Sequence, residues 1–298
     1  MLQHLESGGT MGIAVVTGTS SGIGLATTLR LARSGHRVFA GMRNPAKADA
    51  LREVVDSEAL KVEIIELDVN SDGSVEEAFA KVAESGPVDV LVNNAGIGGA
   101  SPFEITPLED HQSMFETNYF GVVRCTNAVV PSMRERKTGA IVNITSVAGL
   151  YAVPNQVAYS ASKWAVECLG EALAGELEPF GVRVVNVEPG VVLTKIFENA
   201  KETTRFDKTS PYFTLMRRNG KMFSAGFKLG TTAEMVADTI WEAITCETYK
   251  LRWPVGPDAV GLASGRKNMT DEECVALSGE MSDEEYSQRF RDNFGIDV

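Results

Sequence analysis

With 298 residues, 44% of them hydrophobic and 23% charged, the chain has the make-up of a globular protein with a full core, either one large α/β domain or two small ones. A formal net charge of -12 argues against nucleic acid or an anionic membrane surface as a partner, and the three histidines lie in no metal-ligand spacing. Four scattered cysteines without a C-x-x-C pair fit reduced thiols in a cytoplasmic protein.

No apolar run approaches the length of about 20 residues that a membrane span requires. Residues 1–10 have neither a basic start nor an apolar run and read as a flexible tail. Ile13-Ala14-Val15-Val16-Thr17 is a continuous apolar run, as expected of a parallel strand buried on both faces. It enters Gly18-Thr19-Ser20-Ser21-Gly22-Ile23-Gly24, and a helix follows. A glycine-rich turn between strand and helix lets backbone amides approach a pyrophosphate at the positive end of the helix.

Arg37 to Gly41 reads as the second strand, ending in Met42-Arg43-Asn44. In dinucleotide folds an acid at this place favours the free ribose hydroxyl, whereas an arginine accepts a 2′-phosphate. Arg43 therefore favours NADP over NAD. Lys61–Leu67 reads as the third strand, running into Asp68 and Val69, and Val88–Val92 as the fourth, running into Asn93-Asn94-Ala95-Gly96. Between and after them, Ser74-x-x-Glu77 and Thr106-x-x-Glu109 carry the pattern of helix capping boxes. The second heads a long helix with Asn118 that ends near Arg136.

Gly139–Ser146 is the fifth strand and Val182–Val187 the sixth. Between them, Tyr159 and Lys163 stand four apart at the start of a helix, so phenol and ammonium share a face. A cation beside a phenol favours the phenolate, which lets the pair exchange protons with a substrate near neutrality. Six strands with helices between them predict a doubly wound parallel sheet.

Lys195–Gly230 departs from this alternation and holds six aromatics, among them Phe197. It reads either as a lid or binding loop, or as helices packed into the core or a subunit contact. A capped helix follows Thr232, and Lys250–Trp253 reads as a seventh strand. Residues 255–298 are acidic, with N-cap candidates Thr270 and Ser282, and read as a helical extension packed on the domain formed by residues 11–254.

Taken together, Thr17-Gly18-x-x-x-Gly22-Ile23-Gly24, Asp68-Val69, Asn93-Asn94-Ala95-Gly96, Asn118, Ser146, Tyr159-x-x-x-Lys163 and Pro189-Gly190 with Thr194 resemble the short-chain dehydrogenase/reductase family. The match runs from about Gly12 to Trp253. The Arg-Asn-Pro after the second strand and the C-terminal extension look most like its hydroxysteroid- and retinol-dehydrogenase-like members. The resemblance implies a Rossmann-type fold in which Tyr159 is the general acid/base and Lys163 lowers its pKa while holding the nicotinamide ribose. Ser146 would bond the substrate oxygen, and Asn118 would anchor a water linking Lys163 to solvent.

It further implies that Gly18, Ser20, Ser21, Gly22, Ile23 and Gly24 wrap the cofactor phosphates and ribose. Asp68 and Val69 would flank adenine, Asn94 would lie along the ribose, and Val192 and Thr194 would face the carboxamide. Many NADP-dependent members carry a basic residue where this chain has Ser21, so the NADP expectation rests on Arg43. Phe103, Tyr151, Val153 and Phe197 are expected to line an apolar substrate pocket. The expected activity is interconversion of a secondary alcohol and a ketone, in a homodimer or homotetramer without a metal. An NAD-dependent alcohol dehydrogenase and a non-catalytic NADP sensor are the alternatives.

Overall fold

The computed structural model describes residues 12–196 and 200–298, so the tail expected at residues 1–10 and the pocket residue Phe197 lie outside it. Strands β1 (Ile13–Thr17), β2 (Arg37–Met42), β3 (Val62–Glu66), β4 (Val88–Asn93), β5 (Gly139–Ile144), β6 (Val182–Pro189) and β7 (Arg252–Val255) form one sheet. Its order is β3-β2-β1-β4-β5-β6-β7, and every neighbouring pair is parallel. All five residues of β1 are buried, which explains its unbroken apolar run: helices cover both faces.

One face carries α3 (Asp72–Ala83), α5 (Gly121–Arg136) and α6 (Val157–Leu177), packed through Val75, Val129 and Leu177 onto Val15, Leu91 and Ile141. The other carries α1 (Gly22–Arg33), with α8 (Ala233–Thr245) beside it, packed through Leu31, Val236 and Ile240 onto Val16, Val92 and Val142. The strand order reverses between β1 and β4, the place where open α/β sheets take ligands beyond their carboxyl ends. The helices α2 (Asp49–Glu58) and α4 (Leu108–Phe115) complete the first half of the chain.

Two expected capping boxes are absent. Ser71 caps α3 by accepting the Ser74 N–H at 3.3 Å, while the Ser74 hydroxyl accepts the Asp68 N–H at 3.0 Å. The helix therefore begins three residues early, because the Asp68–Ser71 turn claims the hydroxyl that would have capped it. Thr106 Oγ1 donates to the Pro102 carbonyl at 2.7 Å, closing the short turn Phe103–Ile105, and α4 starts without a side-chain cap. Likewise β7 begins at Arg252 rather than Lys250, whose carbonyl accepts the indole N–H of Trp253 at 2.8 Å.

The aromatic-rich stretch resolves into two parts. Residues 200–212 cross the loop between β4 and α4, and α7 (Phe213–Leu229) is a helix that buries Met216, Met222 and Ala225. It packs with α9 (Pro257–Asn268), α10 (Asp271–Ala276) and α11 (Asp283–Phe294) around Phe290, which is 1% exposed. Thr270 and Ser282 cap the last two helices, Thr270 in a full capping box with Glu273. No helix among the described residues is long and apolar enough to cross a membrane.

Candidate active site

Building from the glycine turn, Gly18 (φ 71°) and Gly22 (φ 58°) adopt the left-handed backbone that side chains disfavour. A Cβ on Gly18 would stand 2.8 Å from Ala95 Cα, and one on Gly24 would stand 2.5 Å from Asn94 Nδ2. The turn is thus closed against the residues after β4. Asn94 Nδ2 donates to the carbonyls of Thr17 (2.8 Å) and Gly18 (3.1 Å), and Thr17 Oγ1 accepts the N–H of Ala95 at 2.9 Å. At its other end Thr19 donates to the Gly41 carbonyl, tying the turn to the strand that Arg43 follows.

Ser21 supplies no side-chain cap to α1, and the first turn of the helix holds no acid. The first amides of the helix have no intrahelical acceptor, so this end of α1 is fitted to an anion. Thr194 reaches the same place, because a Cβ on Gly22 would lie 3.0 Å from Thr194 Cβ. Ser20 and Ile23 stand in the turn itself, Val192 is buried, Val69 packs on Gly121, and Asp68 Oδ1 accepts the Asn70 N–H at 3.1 Å. Arg43 is exposed beyond β2. The expected cofactor residues therefore gather at one end of the sheet, and a backbone cradle with an uncapped helix terminus fits a dinucleotide phosphate.

The second group stands beside it. Asn118 lies in a π-helical turn, Glu116–Phe120, between α4 and α5, and is 1% exposed. Its Nδ2 donates to the Ile97 carbonyl (3.0 Å) and to Ser162 Oγ (2.9 Å), while its Oδ1 accepts the Ile97 N–H at 2.9 Å. A Cβ on Gly96 would stand 3.2 Å from Asn118 Oδ1 and 3.7 Å from Lys163 Nζ, so glycine at that position lets the two groups converge. Ser146 opens the turn after β5 and accepts the N–H of Ala148 at 3.1 Å. The same hydroxyl is the hydrogen-bonding neighbour of the Tyr159 phenol.

Lys163 stands one turn after Tyr159 on α6. Its ammonium is buried, donates to the Ile144 carbonyl at 2.9 Å and lies 5.8 Å from the centroid of the Tyr159 ring. Burial pushes its pKa down to about 8, opposed by the charge of Glu167 one turn on. The phenol of Tyr159 is pushed up by burial, opposed by a hydrogen bond with Ser146. The physical reason is desolvation: a phenolate in this cleft would lose water.

A small recess at Tyr159 is lined by Gly99, Ser101, Met114, Gln156 and Thr203. Thr203 Oγ1 donates to the Gly98 carbonyl (2.7 Å), and Arg205 pairs with Asp110 (2.6 Å), so residues 200–205 are strapped across it. Of the expected pocket residues, Phe103 is 67% exposed, with its ring against His111. Tyr151 and Val153 do not join this recess. They border a separate cavity of about 20 Å³ beneath α7, and the Tyr151 ring packs 5.2 Å from Phe294, because the C-terminal helices cover them. Sequence reasoning missed Ser162, which bridges the Tyr159 carbonyl (2.7 Å) and Asn118; a hydroxyl three residues past the tyrosine was the available signal.

Residues 12–205 match the family model for short chain dehydrogenase. Retinol dehydrogenase 8 of Bos taurus is 42% identical over 206 residues, covering 66% of this chain and 65% of that protein. An NADPH-dependent 3-dehydrocapnine reductase of Ornithobacterium rhinotracheale is 33% identical over 252 residues, 83% of this chain and 89% of that one. A short-chain dehydrogenase from Streptomyces avermitilis superposes with a TM-score of 0.77 at 34% identity, over 86% of this chain and 92% of that chain. Since the match begins one residue before β1 and carries through the Tyr159 helix and the loop after β6, the chain belongs to the short-chain dehydrogenase/reductase family and is an NAD(P)-dependent oxidoreductase.

Proposed function

We propose that the chain is an NADP(H)-dependent oxidoreductase that interconverts a secondary alcohol and a ketone on a fairly apolar small molecule. The observation that carries this reading is the convergence of Ser146, Tyr159, Lys163 and Asn118 beside the glycine turn. When bound, the nicotinamide supplies or accepts the hydride. Ser146 orients the substrate oxygen, and Tyr159 gives its proton to that oxygen as negative charge develops on it. The raised phenol pKa keeps this proton in place at neutral pH, which suits Tyr159 as an acid for carbonyl reduction. Lys163 holds the nicotinamide ribose, and Asn118 with Ser162 fixes the start of α6 from which both catalytic side chains project.

Arg43 favours NADP, and the exposed position beyond β2 leaves its guanidinium open to a 2′-phosphate. Similarity to an NADPH-dependent reductase and to a retinol dehydrogenase supports both the cofactor and an apolar substrate. Ser21, in place of a basic residue, favours NAD instead and keeps an NAD-dependent alcohol dehydrogenase as the second reading. The unpaired cysteines fit a cytoplasmic location. Exposed Phe120 and Trp164, on the helices around Asn118 and Tyr159, suit the face of a homodimer or homotetramer.

In a screen of apolar ketones that follows NADPH consumption, Tyr159→Phe should lower turnover by roughly 10²- to 10⁴-fold while cofactor affinity stays near that of the wild type. Normal turnover in that variant would sink the mechanism. Arg43→Ala should weaken NADPH by roughly tenfold or more and leave NADH nearly unchanged, as for a lost charged hydrogen bond. Equal losses in the two titrations would remove Arg43 from the 2′-phosphate site.

A further inference from the structure

Asp258 is the second residue of α9, a place where an acid ordinarily faces water and the helix dipole, yet it is only 3% exposed. Its Oδ2 accepts the N–H of Val191 at 2.6 Å, across 67 residues of sequence. Val191 belongs to the loop from Pro189 to Thr194, which leaves β6 and ends with Thr194 against Gly22. Room for the carboxylate comes from three glycines on three separate segments. A Cβ on Gly190 would collide with Oδ1, one on Gly256 would lie 2.9 Å from Oδ1, and one on Gly226 of α7 would lie 3.0 Å from Oδ2.

This seat is costly. Oδ1 is buried without a hydrogen-bond partner among the described groups, and burial pushes the carboxyl pKa up against the pull of the Val191 and Ala259 N–H groups. A first-turn acid serving its helix alone would avoid that cost by pointing outward. What the inward position gains is a fixed loop: the Gly190 N–H is held by the Val255 carbonyl at 3.0 Å, and the next N–H by Asp258.

We propose that Asp258, supplied by the C-terminal extension, is a positioning residue that holds the Pro189–Thr194 loop in place for the nicotinamide end of the cofactor. The inference rests on the proposed assignment of Val192 and Thr194 to that end. It makes the extension part of the cofactor site, through one hydrogen bond rather than through contact with the cofactor.

The test combines amide hydrogen exchange over residues 190–194 in the cofactor-free protein with fluorescence titration of NADPH and of NADH. Asp258→Ala should speed exchange in that loop and weaken both cofactors alike, on the order of tenfold for a lost hydrogen bond to a charged group. Asp258→Asn, whose amide oxygen can accept the same N–H, should recover both. A loss confined to NADPH would contradict the proposal, since the two cofactors share the nicotinamide end and differ only at the 2′ position that Arg43 serves.

Unchanged exchange and unchanged affinities in Asp258→Ala would overturn it. Faster exchange with both affinities intact would show a held loop that does not face the cofactor, and would sink the assignment of Val192 and Thr194 together with the proposal. If Asp258→Ala does not fold, Gly190→Ala, whose methyl displaces the carboxylate, carries the same expectations.

Discussion

On the glycine-turn side of the cleft, the turn after β1 is fixed by backbone atoms, one amide and two threonine hydroxyls. Asn94 spans the Thr17 and Gly18 carbonyls, and glycines leave no space between the segments. Around the recess at Tyr159, the segments are joined by side chains that reach far along the sequence. Arg205 pairs with Asp110, the Tyr212 hydroxyl donates to Glu104 at 2.7 Å, and Thr203 donates to the Gly98 carbonyl. The lesson is one of tolerance. A surface made of peptide groups changes only if the chain path changes, whereas one made of side-chain pairs can be altered residue by residue without disturbing the sheet. The first suits a cofactor of fixed shape, the second a substrate that differs from one relative to the next.

The largest blow to that contrast falls on the C-terminal helices. Phe290→Ala should cost about 3–5 kcal/mol, the usual loss for a buried phenylalanine, in a urea unfolding curve. The ring is 1% exposed and packs 4.7 Å from Phe294. A loss below about 1 kcal/mol would mean that α11 adds nothing to the main core.

Next comes Lys163, whose pKa is about 8 in the fold against 10.5 for an ordinary lysine. Between those two values the unfolded chain binds more protons than the folded one, so this group makes stability rise with pH across that window. Below about 8 its burial cost is fully present. Melting curves for wild type and Lys163→Met should show the rise only in the former; parallel curves would mean that the ammonium is not buried as described. The smallest effect is expected from Arg205→Ala, with at most about 1 kcal/mol lost because the pair is partly exposed. Its informative readout is a higher KM for the ketone with unchanged NADPH affinity. A change in the opposite sense would place the strap on the glycine-turn side.

The contrast also explains what the sequence disclosed. The strand Ile13–Thr17, the glycine turn and the Tyr159–Lys163 spacing were legible because each depends on residues near one another in the chain. So were the Thr270 and Ser282 caps, which act over three residues. The capping boxes expected at Ser74 and Thr106 failed because each hydroxyl was claimed by a backbone group on its N-terminal side, Asp68 and Pro102. Nothing local marks Tyr151 and Val153 as residues that the last helices would cover, or Asp258 as the acceptor for Val191. The burial that raises the Tyr159 pKa is likewise a property of the assembled cleft, which spacing along a helix does not show.

The π-helical turn at Glu116–Phe120 carries one residue more than the helix around it needs. That surplus makes the segment sensitive to insertion and deletion rather than to substitution. Removing a single residue there would let α4 and α5 merge into one regular rod with both flanks still in phase, and the residues of the bulge itself would be re-aimed. Asn118 would then be aimed away from Ile97 and Ser162 while every amino acid of the motif survived. In this part of the chain, the number of residues matters as much as their kind.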